Sequence, residues 1–341
     1  IKIERAVGET ARHYDRAASG TSAYFAWLNA GKESAVLDLK SEDGLDLLRR
    51  MIAKADVLVQ NLVPGAMGRM GLDRAALEAL NPRLISLSIL GYDQQSRFAD
   101  MRAYDALVQA ESGICSVTGT ADVQAKVGVS IADIGTGMNA HAAILEALLE
   151  RGITGRGKAL EIAMFDSMAD WMSVPLLQYE GTGKAPPREG LAHATIYPYG
   201  AFACADSAFL LSIQNQREWA SLCADVLQRP DLIEHPLYHD NPARSDNRNQ
   251  LDKIMRPIFA VLDFAECERR MREAGIAFGR LSNVSDLAQH PALKRRTIRL
   301  PDGQTLKAPL PAGRELSEAI PAVPGLGQHT EDVIAEFGGT D

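Results

Sequence analysis

The chain has 341 residues, 46% of them apolar and 23% charged, the make-up of an ordinary globular protein with length for about two domains. Acidic residues outnumber basic ones 44 to 36, for a net charge of −8, which argues against nucleic acid or an anionic membrane as the main partner. No apolar run reaches the roughly 18 residues of a membrane-spanning helix, and the first residues do not read as a signal peptide.

The chain opens on IKIE, an alternating strand fragment with no initiator Met. The expectation is a sheet that lacks its first strand and helix. AVLDL (35–39) reads as a strand, and Ser41 caps a helix with Glu42 and Asp43 in its first turn and Leu45, Leu48 and Ile52 on one face. DVLVQ (56–60) is the next strand, followed by a turn from Asn61 to Gly65. Asp73 caps a short helix that ends at Asn81-Pro82, and LISLSIL (84–90) is a strand of the buried type. The pattern then predicts a helix over 103–112, a strand over 127–132, a helix over 138–151, a strand KALEIAM (158–164) and a long helix after Asp166. Repeated strand–helix units of this length predict an α/β fold with a parallel, doubly wound sheet.

The pattern changes at GTGKAPPREG (181–190), which reads as a linker. PYGAFAC and FLLSI then look like paired strands, with helices near 216–227 and 246–260. The predicted organisation is a large domain over 1–190, a smaller α+β domain over 191–285, and a return segment over 286–341 that packs on the large domain and ends in a helix at 329–337.

Cys115, Cys204, Cys223 and Cys267 lie too far apart in sequence for a metal knuckle or a CxxC pair; four reduced thiols in a cytoplasmic protein are expected. His235 and His239 are four apart, but Pro236 between them breaks the helix that would align them, so no metal site is predicted. There is no GxGxxG and no GxxxxGK[ST]. Gly128-Val129-Ser130-Ile131-Ala132 only approximates the GxSxG nucleophile elbow, because the apolar run continues past the serine.

VGVSIADIGTGM (127–138) is more informative. An apolar run ends on Asp133, and Gly135-Thr136-Gly137 and a helix pattern follow. An Asp before a helix is most often a cap. The same layout can also present a carboxylate nucleophile at a strand end, with turn amides of Gly135, Thr136 and Gly137 as donors to an oxyanion. Arg102-Ala103-Tyr104-Asp105 opens the preceding helix; it is either a solvated helix start or a cation and a phenol facing a phosphorylated ligand. Asn61, Arg69 and Met70 follow a strand end and could line a groove for an adenine diphosphate.

Together these segments resemble the family III CoA-transferases, the CaiB/BaiF type. The resemblance is carried by IKIER (1–5), NAGKESAVLDLKSEDGLDLLRRMIAKADVLVQN (29–61), PGAMGRMGL (64–72) and LNPRLISLSILGY (80–92). YDALVQAESGICSVTG (104–119), VGVSIADIGTGM (127–138), TGRGKALEIAMFDS (154–167) and LGQHTEDVIAEFG (326–338) carry it too. It is weakest over 181–290. It implies an acyl-CoA:carboxylate CoA-transferase in which Asp133 forms an acyl anhydride and then an aspartyl-CoA thioester. Arg5, Asn61, Arg69, Met70, Arg102 and Tyr104 fall on positions that contact coenzyme A, with Arg102 where formyl-CoA members carry a lysine. It also implies an α/β fold with a Rossmann-like parallel sheet in the large domain and a smaller α+β domain, in a homodimer of interlocked chains, with acyl-CoA as substrate and no resident cofactor.

The same family includes 2-methylacyl-CoA racemases, whose His stands where this chain has Tyr104. A phenol of pKa about 10 is a poor proton shuttle at neutral pH, so the racemase stays the alternative, beside a non-catalytic CoA-binding member. The glycine-rich loop of formyl-CoA members is missing; HATIYPYGAFAC (193–204) and LLSIQNQREW (210–219) look instead like members acting on C4–C5 dicarboxylates. His193, Arg217 or Arg280 could meet a distal carboxylate.

Overall fold

The computed structural model describes residues 1–339. The chain divides into two compact units. The first comprises residues 1–102, 136–164 and those from 288 onward; the second comprises 103–135 and 165–287.

In the first unit, β1 (Lys2–Glu4) pairs in parallel with β2 (Ser34–Val36). A second sheet orders β3 (Val57–Gln60), β4 (Ile85–Leu90) and β5 (Ala159–Ala163) side by side, all parallel. Helix Glu42–Lys54 joins β2 to β3; it starts where predicted, with the Ser41 hydroxyl accepting the Gly44 N–H at 3.1 Å. Its apolar stripe splits between two clusters. Leu48 and Ile52 pack with Leu72, Leu77 and Leu84, and Leu47 and Met51 with Ala35, Leu37 and Val333. Val333 lies on the predicted last helix, Thr330–Phe337.

Side chains tie that C-terminal segment to β2. The Val36 N–H donates to Thr330 Oγ1 at 3.0 Å, the Ser34 N–H to His329 Nδ1 at 3.1 Å, and the Gly327 N–H to Ser34 Oγ at 3.0 Å.

The second unit holds an antiparallel sheet of β6 (Tyr199–Ala203), β7 (Ala208–Ser212) and β8 (Ala277–Arg280). The predicted strand pair is therefore present. Phe202, Phe209, Trp219 and Phe259 fill its core. A last antiparallel hairpin, β9 (Arg295–Arg299) with β10 (Thr305–Pro309), belongs to the first unit.

One predicted strand is absent. Residues 127–130 are irregular, and a single helix runs Ile131–Thr154. The sheet explains why. β4 pairs directly with β5, Ser86 opposite Ala159 through Leu90 opposite Ala163, so the chain passes from one strand to the next without placing 127–132 between them. An apolar run of this length fits a buried strand or a helix start equally well, and here the helix wins.

Candidate active site

Asp133 is the third residue of the helix Ile131–Thr154. The Ser130 carbonyl accepts the Ile134 N–H at 2.9 Å, so the ladder begins at Ser130. The first-turn amides are placed one by one. Ile131 donates to the Val129 carbonyl at 2.8 Å, and Ala132 donates to Asp105 Oδ1 at 2.9 Å. Among the described residues, no hydrogen bond uses the Asp133 N–H or its carboxylate. Ser130 and Asp133 have the spacing of a capping box, but no such pair of bonds forms. The residue as a whole reaches solvent, while its carboxyl group is partly desolvated.

Two effects raise the Asp133 pKa above its ordinary value: the desolvation of its setting first, and the negative charge of Asp105 second. A helix N-terminus favours an anion, yet it does not outweigh them. The result is a carboxylate with basicity and no internal partner, beside an unused backbone donor. That set can attack an electrophilic carbonyl and offer one N–H to the oxygen that becomes negative.

Asp105 opens the helix Asp105–Glu111 and does not cap it. Its two oxygens are both engaged elsewhere, Oδ1 with the Ala132 N–H and Oδ2 with Gln109 Nε2 at 2.9 Å. Gln109 is fully buried, and its Oε1 accepts the Val127 N–H at 2.8 Å.

The expected Gly135-Thr136-Gly137 turn is corrected by the structure, since all three residues lie within the helix. From Gly135 onward their N–H groups belong to the helix ladder and are not turn donors. The glycines do other work. A Cβ on Gly135 would come within 3.0 Å of Met168 Cε and of the Trp171 ring, so its bareness lets the helix Met164–Trp171 pack close. A Cβ on Gly137 would meet nothing within 4 Å, and Thr136 is buried.

The residues expected to hold coenzyme A are placed as follows. Arg5 follows β1 and Asn61 follows β3, both exposed at carboxyl ends of parallel strands, the end where α/β sheets bind ligands. Arg69 ends the short helix Ala66–Arg69, exposed, its Nη1 3.4 Å from the Pro64 carbonyl. Met70 packs on the cluster of Leu48, Ile52 and Leu72, so its side chain is partly committed to the core. Arg102 and Tyr104 are exposed, Tyr104 at the position just before Asp105.

His193 turns Nδ1 towards its own backbone, accepting from Thr195 N–H at 3.1 Å and Ile196 N–H at 3.2 Å, while its ring stacks on Tyr199. With Nδ1 an acceptor, Nε2 is the ring nitrogen left to face a ligand. Arg217 is exposed in the first turn of helix Gln216–Ser221 with no ion pair among the described residues. Arg280 ends β8 over the Phe264 ring. Gln109 carries no motif in the sequence; its i, i+4 spacing from Asp105 is its one signal there.

Comparison with known proteins places the whole chain in one family. The profile of CoA-transferase family III matches residues 1–330. The acetyl-CoA:oxalate CoA-transferase of Acetobacter aceti is 32% identical over 99% of this chain and 88% of its own length. The succinyl-CoA:glutarate CoA-transferase of Mus musculus is 31% identical over 98% of this chain and 79% of its own length. Among solved structures, a CaiB/BaiF family protein from Brucella suis superposes with a TM-score of 0.82 at 30% identity, covering 98% of this chain and 91% of that one. The chain belongs to CoA-transferase family III. It is a CoA-transferase.

Proposed function

We propose that the chain transfers coenzyme A from an acyl-CoA to a small dicarboxylate through covalent chemistry on Asp133. A carboxylate oxygen of Asp133 attacks the thioester carbonyl and expels CoA thiolate, leaving a mixed anhydride. The thiolate attacks the Asp133 carbonyl of that anhydride and releases the donor acid, which forms the aspartyl-CoA thioester. The acceptor carboxylate attacks this thioester, thiolate leaves again, and its attack on the acceptor's acyl carbon restores Asp133. Every step exchanges one acyl bond for another, so the thioester energy is kept.

The observation that carries this reading is the Asp133 carboxylate itself, raised in basicity and, among the described residues, free of hydrogen bonds and next to an unused N–H. The substrate class rests on relatives whose names carry oxalate, succinyl and glutarate. Arg5, Asn61, Arg69, Arg102 and Tyr104 hold coenzyme A, with Met70 beside them, and the exposed Gly137 leaves room for the acyl group. Arg217, with the Nε2–H of His193, receives the distal carboxylate. The chain works as a homodimer, which exposed apolar stripes support, and in the cytoplasm, which fits its free buried thiols Cys204, Cys223 and Cys267.

The test is to trap the intermediate. The protein is incubated with a panel of acyl-CoAs, succinyl-CoA first, quenched with hydroxylamine or borohydride, and its peptides mapped by mass spectrometry. Modification is expected on Asp133, and Asp133→Ala should lose roughly a thousandfold or more in rate while still binding CoA. A panel that leaves Asp133 unmodified refutes the nucleophile.

A further inference from the structure

The segment that delivers Asp133 has no strand ladder to hold it. Residues 127–130 are irregular, and the helix begins at Ile131. Its position is fixed instead by the helix Asp105–Glu111, at two backbone points on either side of the bend. Gln109 Oε1 accepts the Val127 N–H at 2.8 Å, and Asp105 Oδ1 accepts the Ala132 N–H at 2.9 Å. The two side chains lie on one helix face, four residues apart, and are bonded to each other, Gln109 Nε2 donating to Asp105 Oδ2 at 2.9 Å. Gln109 Nε2 also reaches the Val127 carbonyl at 3.5 Å.

A fully buried amide is costly unless its donor and acceptor are both met. Gln109 is fully buried and meets both, one end on the segment and the other on Asp105. A leucine there would fill similar space without that cost, but it would give Val127 no acceptor and Asp105 no donor. The amide also orients Asp105: with Oδ2 taken, Oδ1 is directed to Ala132, the residue immediately before the nucleophile.

We propose that Gln109 is a positioning residue for the reaction. It stands in for the missing neighbouring strand, and through Val127 and Asp105 it fixes where the Asp133 carboxylate meets the thioester. The inference rests on the reading of Asp133 as the nucleophile. A displacement of about 1 Å at a reacting atom can cost on the order of a hundredfold in rate while ground-state binding changes little.

The experiment uses the full chain and compares Gln109→Met, Asp105→Asn, the double variant and Asp133→Ala. Measured are kcat, KM for acyl-CoA, the rate of covalent trapping on Asp133, and Tm. Gln109→Met is expected to lower kcat and the trapping rate together by about ten- to a hundredfold, with KM for acyl-CoA within about twofold. The double variant should lose little more than the worse single one, because the two side chains act as one unit. Gln109→Glu keeps the acceptor for Val127 and removes the donor to Asp105. It should show the same split between kcat and KM, and it decides the matter if Gln109→Met does not fold.

A folded Gln109→Met with wild-type kcat overturns the inference. So does a loss of rate that only follows the loss of folded protein, or fully additive single effects. If Asp133→Ala retains transfer, the nucleophile itself is refuted; if it is inactive while Gln109→Met is normal, only the positioning role fails.

Discussion

Asp133 and Glu4 are driven in opposite directions by what surrounds them. Among the described residues no donor meets Asp133, and desolvation and the charge of Asp105 raise it. Glu4 is buried, which alone would raise it too, but three groups override burial. Arg12 donates to both of its oxygens, Nε at 2.9 Å and Nη2 at 2.6 Å, the Ser34 hydroxyl donates at 2.6 Å and the Glu9 N–H at 3.2 Å. Together they bring its pKa from 4.5 to about 2. A carboxylate lowered on folding stabilises the fold above its unfolded pKa, and that contribution is lost as pH falls from about 4.5 towards 2. Glu4→Gln should therefore lose on the order of 2 kcal/mol at pH 7, seen as a Tm several degrees lower. Its Tm should then fall less steeply than the wild type's between pH 5 and about 3. Parallel Tm curves for the two proteins would show that the Glu4 charge contributes nothing. Asp133 stood out in the sequence as an acid before a helix, although the helix starts two residues ahead of it, at Ile131. The Glu4 cluster did not, because Arg12 and Ser34 lie 8 and 30 residues from Glu4 and no local pattern joins them.

At the scale of elements, the strands β2 to β5, the antiparallel pair and the caps at Ser41 and Asp73 follow from periodicity and local side-chain chemistry. The 127–138 segment does not. Gly-Thr-Gly reads as a turn because each glycine costs a helix about 1 kcal/mol relative to alanine, and packing overrides that preference. Gly135 sits against Met168 and Trp171, whereas nothing lies near Gly137. Two substitutions of the same chemistry should thus act in opposite senses. Gly137→Ala removes backbone freedom in an open position and should stabilise by about 0.5–1 kcal/mol. Gly135→Ala presses a methyl against the fully buried Met168 and the Trp171 ring, each 3.0 Å away, and should destabilise by about 1–3 kcal/mol. Chemical denaturation of the two variants checks this. An equal gain at both positions would mean that the two helices are not tightly packed at Gly135.

At the scale of the whole molecule, the surface carries apolar side chains that a free monomer has no use for. The helix Ile131–Thr154 leaves Met138, Leu145, Leu149 and Ile153 exposed along one face, Leu149 at 74% and Ile153 at 89% of full exposure. Separately, the helix Ser173–Thr182 exposes Val174, Leu176, Leu177 and Tyr179. Scattered exposed leucines need no explanation, but runs along one helix are surfaces that normally meet a partner. The proposed homodimer would cover both runs, and burying one such leucine is worth roughly 1.5–3 kcal/mol. Sedimentation equilibrium should give twice the chain mass of 36.9 kDa. Leu149→Glu with Ile153→Glu would place two carboxylates in the contact without touching the core, so the dimer should weaken while far-UV circular dichroism keeps its helical signal. A wild-type mass of one chain, or a double variant that dimerises as tightly as before, would assign these stripes to something other than self-association.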